Sequence, residues 1–235
     1  MNNLIFIHKE TGEIYTCFFD YQFHSHQNDV DILHPRELLF YENLHEKRKK
    51  TFLSGRYLIK DLLQGVVPTK PNLIEIRKGI FDQPVIYHPK YYDWECSLSH
   101  TSSNITAIIF PKELVIGIDL EGNQEEMALK TKGQITFQEK MLCISNGIEL
   151  FELRLWSAKE ALSKCIKTGL TVPFQLLEIN EISKRNGYLE ILFKNFPQYK
   201  VLSFLIQDEC LSFCIPVQLS IDKKIALLLN SAILK

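Results

Sequence analysis

Asp119 and Glu121 lie two residues apart in the stretch Leu114-Val115-Ile116-Gly117-Ile118-Asp119-Leu120-Glu121. Strand alternation puts Leu114, Ile116, Ile118 and Leu120 on one face and Val115, Gly117, Asp119 and Glu121 on the other. The aliphatic face is a core face. The second face ends in two carboxylates about 7 Å apart along the strand. A hard cation such as magnesium takes oxygen ligands and needs only one or two protein carboxylates, with water and phosphate oxygens completing its shell. Gly117 leaves room for something to approach the backbone. Taken alone, a bare Asp-x-Glu at a strand end reads first as two solvated acids, and it becomes specific only in company.

A second acidic position falls in Trp156-Ser157-Ala158-Lys159-Glu160-Ala161-Leu162-Ser163-Lys164. On a helix, Ala158, Ala161, Leu162, Cys165 and Ile166 gather on one side, with Glu160, Lys164 and Lys167 opposite. Gly169 is the expected stop. Read alone, Glu160 and Lys164 make an ordinary exposed i,i+4 pair contributing about 0.3–0.5 kcal/mol.

Ser97-Leu98-Ser99-His100-Thr101 supplies hydroxyls, an imidazole and strand-end N–H groups, a set suited to phosphate oxygens. A nucleophilic Ser-His reading is weaker, because adjacent residues on an extended chain point apart. Upstream, Ser54-Gly55-Arg56 opens a helical stretch, and a guanidinium fork matches phosphate geometry. Each of these residues also has a plain surface reading.

In this order the blocks resemble the 4′-phosphopantetheinyl transferases, specifically the long, pseudodimeric surfactin type. The resemblance rests on Gly117-Ile118-Asp119-Leu120-Glu121, on Trp156, Ser157, Lys159, Glu160, Ala161 and Lys164, and on the spacing of 39 residues between Asp119 and Lys159. Ser97-Leu98-Ser99-His100-Thr101 is similar to the family's Asn-x-Ser-His-Ser, with serine for asparagine and threonine for the last serine. One departure stands out. The family's Gly-Lys-Pro has its nearest counterpart in Asp82-Gln83-Pro84, where only Pro84 fits, and Arg77 is the residue available to supply the missing charge.

The resemblance implies a magnesium site of Asp119, Glu121 and Glu160, with Glu160 and Lys164 as catalytic residues. It implies coenzyme A contacts at Arg56, Arg77, Pro84, Ser97, Ser99, His100, Asp119, Glu160 and Lys164. The implied partner is an acyl or peptidyl carrier protein, and the implied fold is two similar lobes related by pseudo-twofold symmetry with the coenzyme between them. Two other classes stay open: a coenzyme A-binding or carrier-docking protein that has lost catalysis, and another magnesium-dependent phosphotransferase or phosphohydrolase. No P-loop, dinucleotide fingerprint or nucleophile elbow supports the last.

The 235 residues are enough for one large domain or two small ones, and the net charge of −1 argues for neither nucleic acid nor membrane as partner. Six cysteines without CxxC spacing fit reduced thiols in a cytoplasmic protein rather than a disulfide or zinc framework. The start has no basic n-region and too short an apolar run for a signal peptide, and no apolar stretch reaches the length of a membrane span. A monomer suffices on this reading. His24 and His26 read as loop residues, and Cys210 and Cys214 as packed on one strand face.

The elements that must position these groups read as α+β. An early strand pair spans 4–19 with a turn at Thr11-Gly12. A helical pattern follows His34-Pro35 and runs through the basic residues 47–50, and a second helix covers 52–63 with Leu53, Leu58 and Leu62 inward and Arg56 and Lys60 on another side. Strands follow at 73–76, 85–87, 96–99 and 105–110. Pro111-Lys112-Glu113 is the expected crossing between lobes 1–112 (nucleotide side) and 113–235 (magnesium site and catalytic helix). Beyond the 114–121 strand come one or two helices within 124–168 and strands near 174–180, 188–193, 200–206 and 210–217. Antiparallel strands with helices in each half argue against a long parallel sheet. The two halves share no close sequence repeat.

Overall fold

The computed structural model describes residues 2–24, 29–66, 68–88, 93–122, 127, 129 and 131–222. The chain divides into two compact units, one of residues 1–4 with 16–114 and the other of residues 5–15 with 115–235.

Strands β1 (Asn2–His8) and β2 (Ile14–Phe23) open the chain. Gly12 between them takes φ +72°, a conformation that costs glycine nothing. In the first unit, helices α1 (Pro35–Glu42) and α2 (Glu46–Gln64) precede strands β3 (Glu75–Lys78), β4 (Pro84–Tyr87), β5 (Trp94–His100) and β6 (Asn104–Pro111). Strand β6 pairs antiparallel with β2 on one side (Phe18 opposite Ile109) and β5 on the other (Leu98 opposite Ala107), while β3 and β4 form a hairpin. Alternation turns Cys96, Leu98, Ile105, Ala107 and Ile109 toward α2, where they pack with Leu58, Ile59, Leu62 and Leu63.

In the second unit, β7 (Gly117–Glu121) is followed by helices α3 (Phe137–Ser145) and α4 (Phe151–Cys165), then β8 (Ile179–Arg185), β9 (Tyr188–Phe193), β10 (Tyr199–Ile206) and β11 (Glu209–Pro216). The sheet order is β7-β11-β10-β9-β8, and each of these neighbours pairs antiparallel. Helix α4 covers one face, burying Leu155, Ala158, Ala161, Leu162 and Cys165 against Val201, Leu189, Ile191 and Cys214. A short strand, β12 (Leu219–Ile221), pairs with β1, placing Phe6 opposite Ile221. Among the described residues no helix is long and apolar enough to cross a membrane.

Each unit, taken by itself, runs through a strand, helices, a hairpin and then a second hairpin whose last strand pairs with the first strand. A shared buried device underlines this. In each unit a glutamate at the third position of a helix, α1 or α3, closes a capping box, Glu37 with His34 and Glu139 with Thr136. The same carboxylate then accepts a strand N–H, from Ile76 at 3.0 Å and from Ile179 at 2.9 Å. It also pairs with a buried lysine of the next helix, Lys60 of α2 or Lys159 of α4. That lysine donates to the carbonyl two residues before the cap, Ile32 at 2.8 Å or Gln134 at 3.0 Å. The repeat lies in contacts rather than letters, so no close sequence repeat reveals it.

Several elements differ from the sequence reading. The basic residues 47–50 belong to α2, because His45 caps a new helix after α1 has ended at Glu42. The other side, with Arg56 and Lys60, is buried as well. Their partner Glu37 lies outside the helix whose periodicity placed them. Residues 174–177 form a 3-10 turn after Pro173, and the strand begins only at Ile179. Helix α4 ends at Cys165, ahead of Gly169, with Lys167 taking φ +56°. Leu53, Leu58, Leu62, Cys210 and Cys214 are buried as read.

Candidate active site

Strand β7 offers one face to α4, and Gly117 sets how close the two come. A Cβ at Gly117 would stand 2.2 Å from the Ala161 carbonyl oxygen and 2.4 Å from the Cys165 nitrogen. What approaches this backbone is therefore the helix. The absence of a side chain lets α4 rest directly on β7 and carries Glu160 toward the acids on the same strand face.

Asp119, Glu121 and Glu160 offer carboxylate oxygens that all lie within 4.8 Å of one another. Asp119 is buried opposite Ser212 of β11, so the solvated reading of the Asp-x-Glu pair fails. Lys164 reaches across to the strand, its Nζ 2.6 Å from Asp119 Oδ1, so it belongs to the acid cluster rather than to an isolated surface pair. Glu121 Oε1 accepts the Trp156 indole N–H at 3.1 Å, and the indole stacks on Phe174 with centroids 4.8 Å apart. Trp156 thus orients one acid of the cluster, a role that its place in a motif did not disclose.

Burial, and then the Asp119 carboxylate beside it, push the Glu160 carboxyl up to about 8, against the opposing pull of Lys164. Three carboxylates against one lysine leave an excess of negative charge. An all-oxygen set of this kind suits a hard divalent cation such as magnesium. The residues fit the group: Asp119, Glu121 and Glu160 could hold it.

Lys159, next to Glu160, points elsewhere. Its Nζ lies 2.7 Å from Glu139 in the interior, so it anchors α4 from the side away from the cluster. The sequence reading used Lys159 only as part of the resemblance, with no partner assigned, and missed Glu139. Thr136-x-x-Glu139 is a capping-box pattern that could have flagged the glutamate.

The residues of the first unit are arranged as follows. Arg56 Nε lies 2.8 Å from Glu37, its guanidinium donates to the Ile76 carbonyl at 3.0 Å, and it covers the Phe52 ring at 4.4 Å. Arg56, Arg77, Lys78, Phe40 and Phe52 line a cleft of about 220 Å³. Arg77 pairs with Glu75 at 2.7 Å and lies over the Tyr87 ring at 3.6 Å. In the β3–β4 turn Asp82 takes φ +62°, and the Gln83 side chain folds over Gly79 and accepts the Phe81 N–H. Pro84 opens β4. Ser97 and Ser99 are buried on the β5 face turned away from α2, whereas His100 is exposed at the strand end. The structure therefore splits that block across two faces. His24 lies in the loop after β2, as read, and is buried beside His100; His26 lies outside the described residues.

Residues 115–214 match the family model of the 4′-phosphopantetheinyl transferase superfamily. The matched segment holds Asp119, Glu121, Glu160 and Lys164, and it supports a transferase activity of the phosphopantetheinyl class. No curated protein matches the chain.

Proposed function

We propose that this protein transfers the 4′-phosphopantetheine arm of coenzyme A to a serine of an acyl or peptidyl carrier protein and releases adenosine 3′,5′-bisphosphate. The observation that carries this reading is the convergence of Asp119, Glu121 and Glu160 within 4.8 Å, beside Lys164, inside the matched segment. The shared element order of the two units supports the long, surfactin-type pattern of two similar lobes.

The serine oxygen forms a bond to the β-phosphorus while the bond from that phosphorus to the bridging oxygen breaks, and the serine proton leaves to a base. The obstacle is charge on the pyrophosphate. A magnesium ion held by the three carboxylates supplies neutralisation of that charge. Lys164 adds a positive point charge beside the cluster. Glu160, with a carboxyl poised near neutrality, is suited to accept the serine proton directly or through water. Arg56, Arg77, Pro84 and the Ser97, Ser99 and His100 block take the nucleotide side in this reading. All four ionic groups of the cluster are present, which favours turnover over a role confined to binding.

The test is incubation with coenzyme A, magnesium and a panel of apo carrier proteins, read by intact mass. A gain of one phosphopantetheine on a carrier serine is expected. Phosphate release from small substrates with no carrier modified would replace this reading with a phosphohydrolase.

A further inference from the structure

Glu121 is steered by two rings, and only one of them belongs to the motif blocks. An indole has a single donor, its Nε1–H, and that of Trp156 lies 3.1 Å from Glu121 Oε1. The bond forms only while the indole plane keeps its edge toward the carboxylate. Phe174 holds that plane. The two rings stack with centroids 4.8 Å apart and planes 18° from parallel, a separation within the range of favourable aromatic pairs. Both side chains are buried. They share a cluster with Leu153 and Cys210, and Cys210 stands opposite Glu121 in the β7–β11 register.

Phe174 is itself fixed from two directions. It opens the 3-10 turn after Pro173, whose carbonyl accepts the Leu176 N–H at 2.9 Å. Lys159 Nζ lies over the same ring, 5.9 Å from its centroid, and that lysine is anchored on Glu139 and the Gln134 carbonyl. A path of contacts thus runs from the interior Lys159–Glu139 pair through Phe174 and Trp156 to a carboxylate of the acid cluster.

We propose that Phe174 is a positioning residue for the divalent-cation site, fixing the Trp156 indole so that its N–H presets the Glu121 carboxylate. This deepens the reading of Asp119, Glu121 and Glu160 as cation ligands and rests on it. Groups that hydrogen-bond a ligating carboxylate set its orientation, and their loss typically weakens metal binding about 10–100-fold. The role is preorganisation: a carboxylate already held loses less freedom when the cation arrives.

The experiment uses the full chain with manganese as a paramagnetic probe of the cation site, the free ion counted by electron paramagnetic resonance. Melting curves report folding, and carrier modification at varied magnesium gives the half-saturating concentration and kcat. Phe174→Leu keeps an apolar side chain and removes the stack. Acting one contact beyond the hydrogen-bonding group, it should weaken manganese binding by about tenfold, the low end of the outer-shell range, and raise the half-saturating magnesium in parallel, with kcat at saturation within about twofold. Phe174→Tyr keeps the ring and should bind manganese as the wild type does. Trp156→Phe keeps the stack without the donor and should lose at least as much affinity as Phe174→Leu. In that background Phe174→Leu should cost no further affinity. A lower melting temperature in Phe174→Leu with unchanged manganese affinity would reduce Phe174 to core packing and overturn the proposal. Losses that simply add in the Trp156→Phe/Phe174→Leu double variant would overturn it too, because Phe174 would then not act through the indole. Wild-type affinity in Glu121→Gln would instead remove Glu121 from the cation site, and the role of Phe174 with it. Should Phe174→Leu fail to fold, Phe174→Met, whose unbranched side chain fills irregular gaps, replaces it.

Discussion

Lys164 Nζ lies 2.6 Å from Asp119 Oδ1, an ion pair that ties the penultimate residue of α4 to the middle of β7 across 45 residues of sequence. It holds a cation and an anion of the cluster together before any ligand is present. Charge stabilisation at a fixed position typically accounts for about 10²–10³ in rate. Asp119→Ala, Glu160→Ala and Lys164→Ala should each lower carrier modification by at least about that factor, while circular dichroism reports a folded chain. Near-wild-type transfer in any of the three would reassign the site.

Glu160 makes the protein's response to pH and to metal opposite in sign. Its folded carboxyl is raised from 4.5 to about 8, so between those values the folded chain holds a proton that the unfolded chain has lost. The stability this contributes is complete below the unfolded value and is lost as pH rises through the folded one, at up to about 1.4 kcal/mol per pH unit. A divalent cation needs the carboxylate, so the magnesium-induced rise in melting temperature should be larger at pH 8 than at pH 6. Melting curves with and without magnesium across that range check it; a shift that shrinks toward high pH would count against Glu160 as a ligand.

Gly117→Ala should damage both fold and activity, because the added methyl meets helix backbone that has no rotamer to yield. Overpacking of this kind costs about 1–3 kcal/mol, and any shift of α4 away from β7 moves Glu160 from Asp119. Urea unfolding and transfer assays measured together should fall together, with activity the more sensitive.

The two buried glutamate–lysine pairs should differ in how they tolerate loss of the lysine. Lys159→Met strands Glu139 without a cationic partner, a change that costs about 3–5 kcal/mol in buried settings. Lys60→Met leaves Glu37 still paired with Arg56 at 2.8 Å and should cost clearly less. In a Lys159→Met/Glu139→Gln double variant the amide oxygen can still accept the Ile179 N–H, so much of the single-variant loss should return. Equal losses for the two lysines in chemical denaturation would show that Arg56 does not compensate.

The alternation of residues 114–121 placed Asp119 and Glu121 on one strand face, and helical spacing set Glu160 apart from Ala158, Ala161 and Leu162. Both patterns are local, and local periodicity reports which side of an element is apolar. It does not report where a charge finds its partner. Helical spacing set Arg56 and Lys60 on another side from the leucines but could not name their partner, because Glu37, 23 residues upstream of Lys60, belongs to another helix. Lys159 and Glu160 are neighbours in sequence, yet one is spent on Glu139 in the interior and the other on the acid cluster.

Residue types alone thus determined the α+β class, the acids and lysine able to serve a phosphate, and the elements that carry them. Resemblance added the expectation that Asp119, Glu121 and Glu160 meet. Only the tertiary structure decided that Gly117 admits a helix, that Trp156 orients Glu121, and that His24 stands beside His100. Those outcomes depend on contacts between distant segments, where burial makes an unpaired charge or an extra methyl costly, and no single element contains both halves of such a contact.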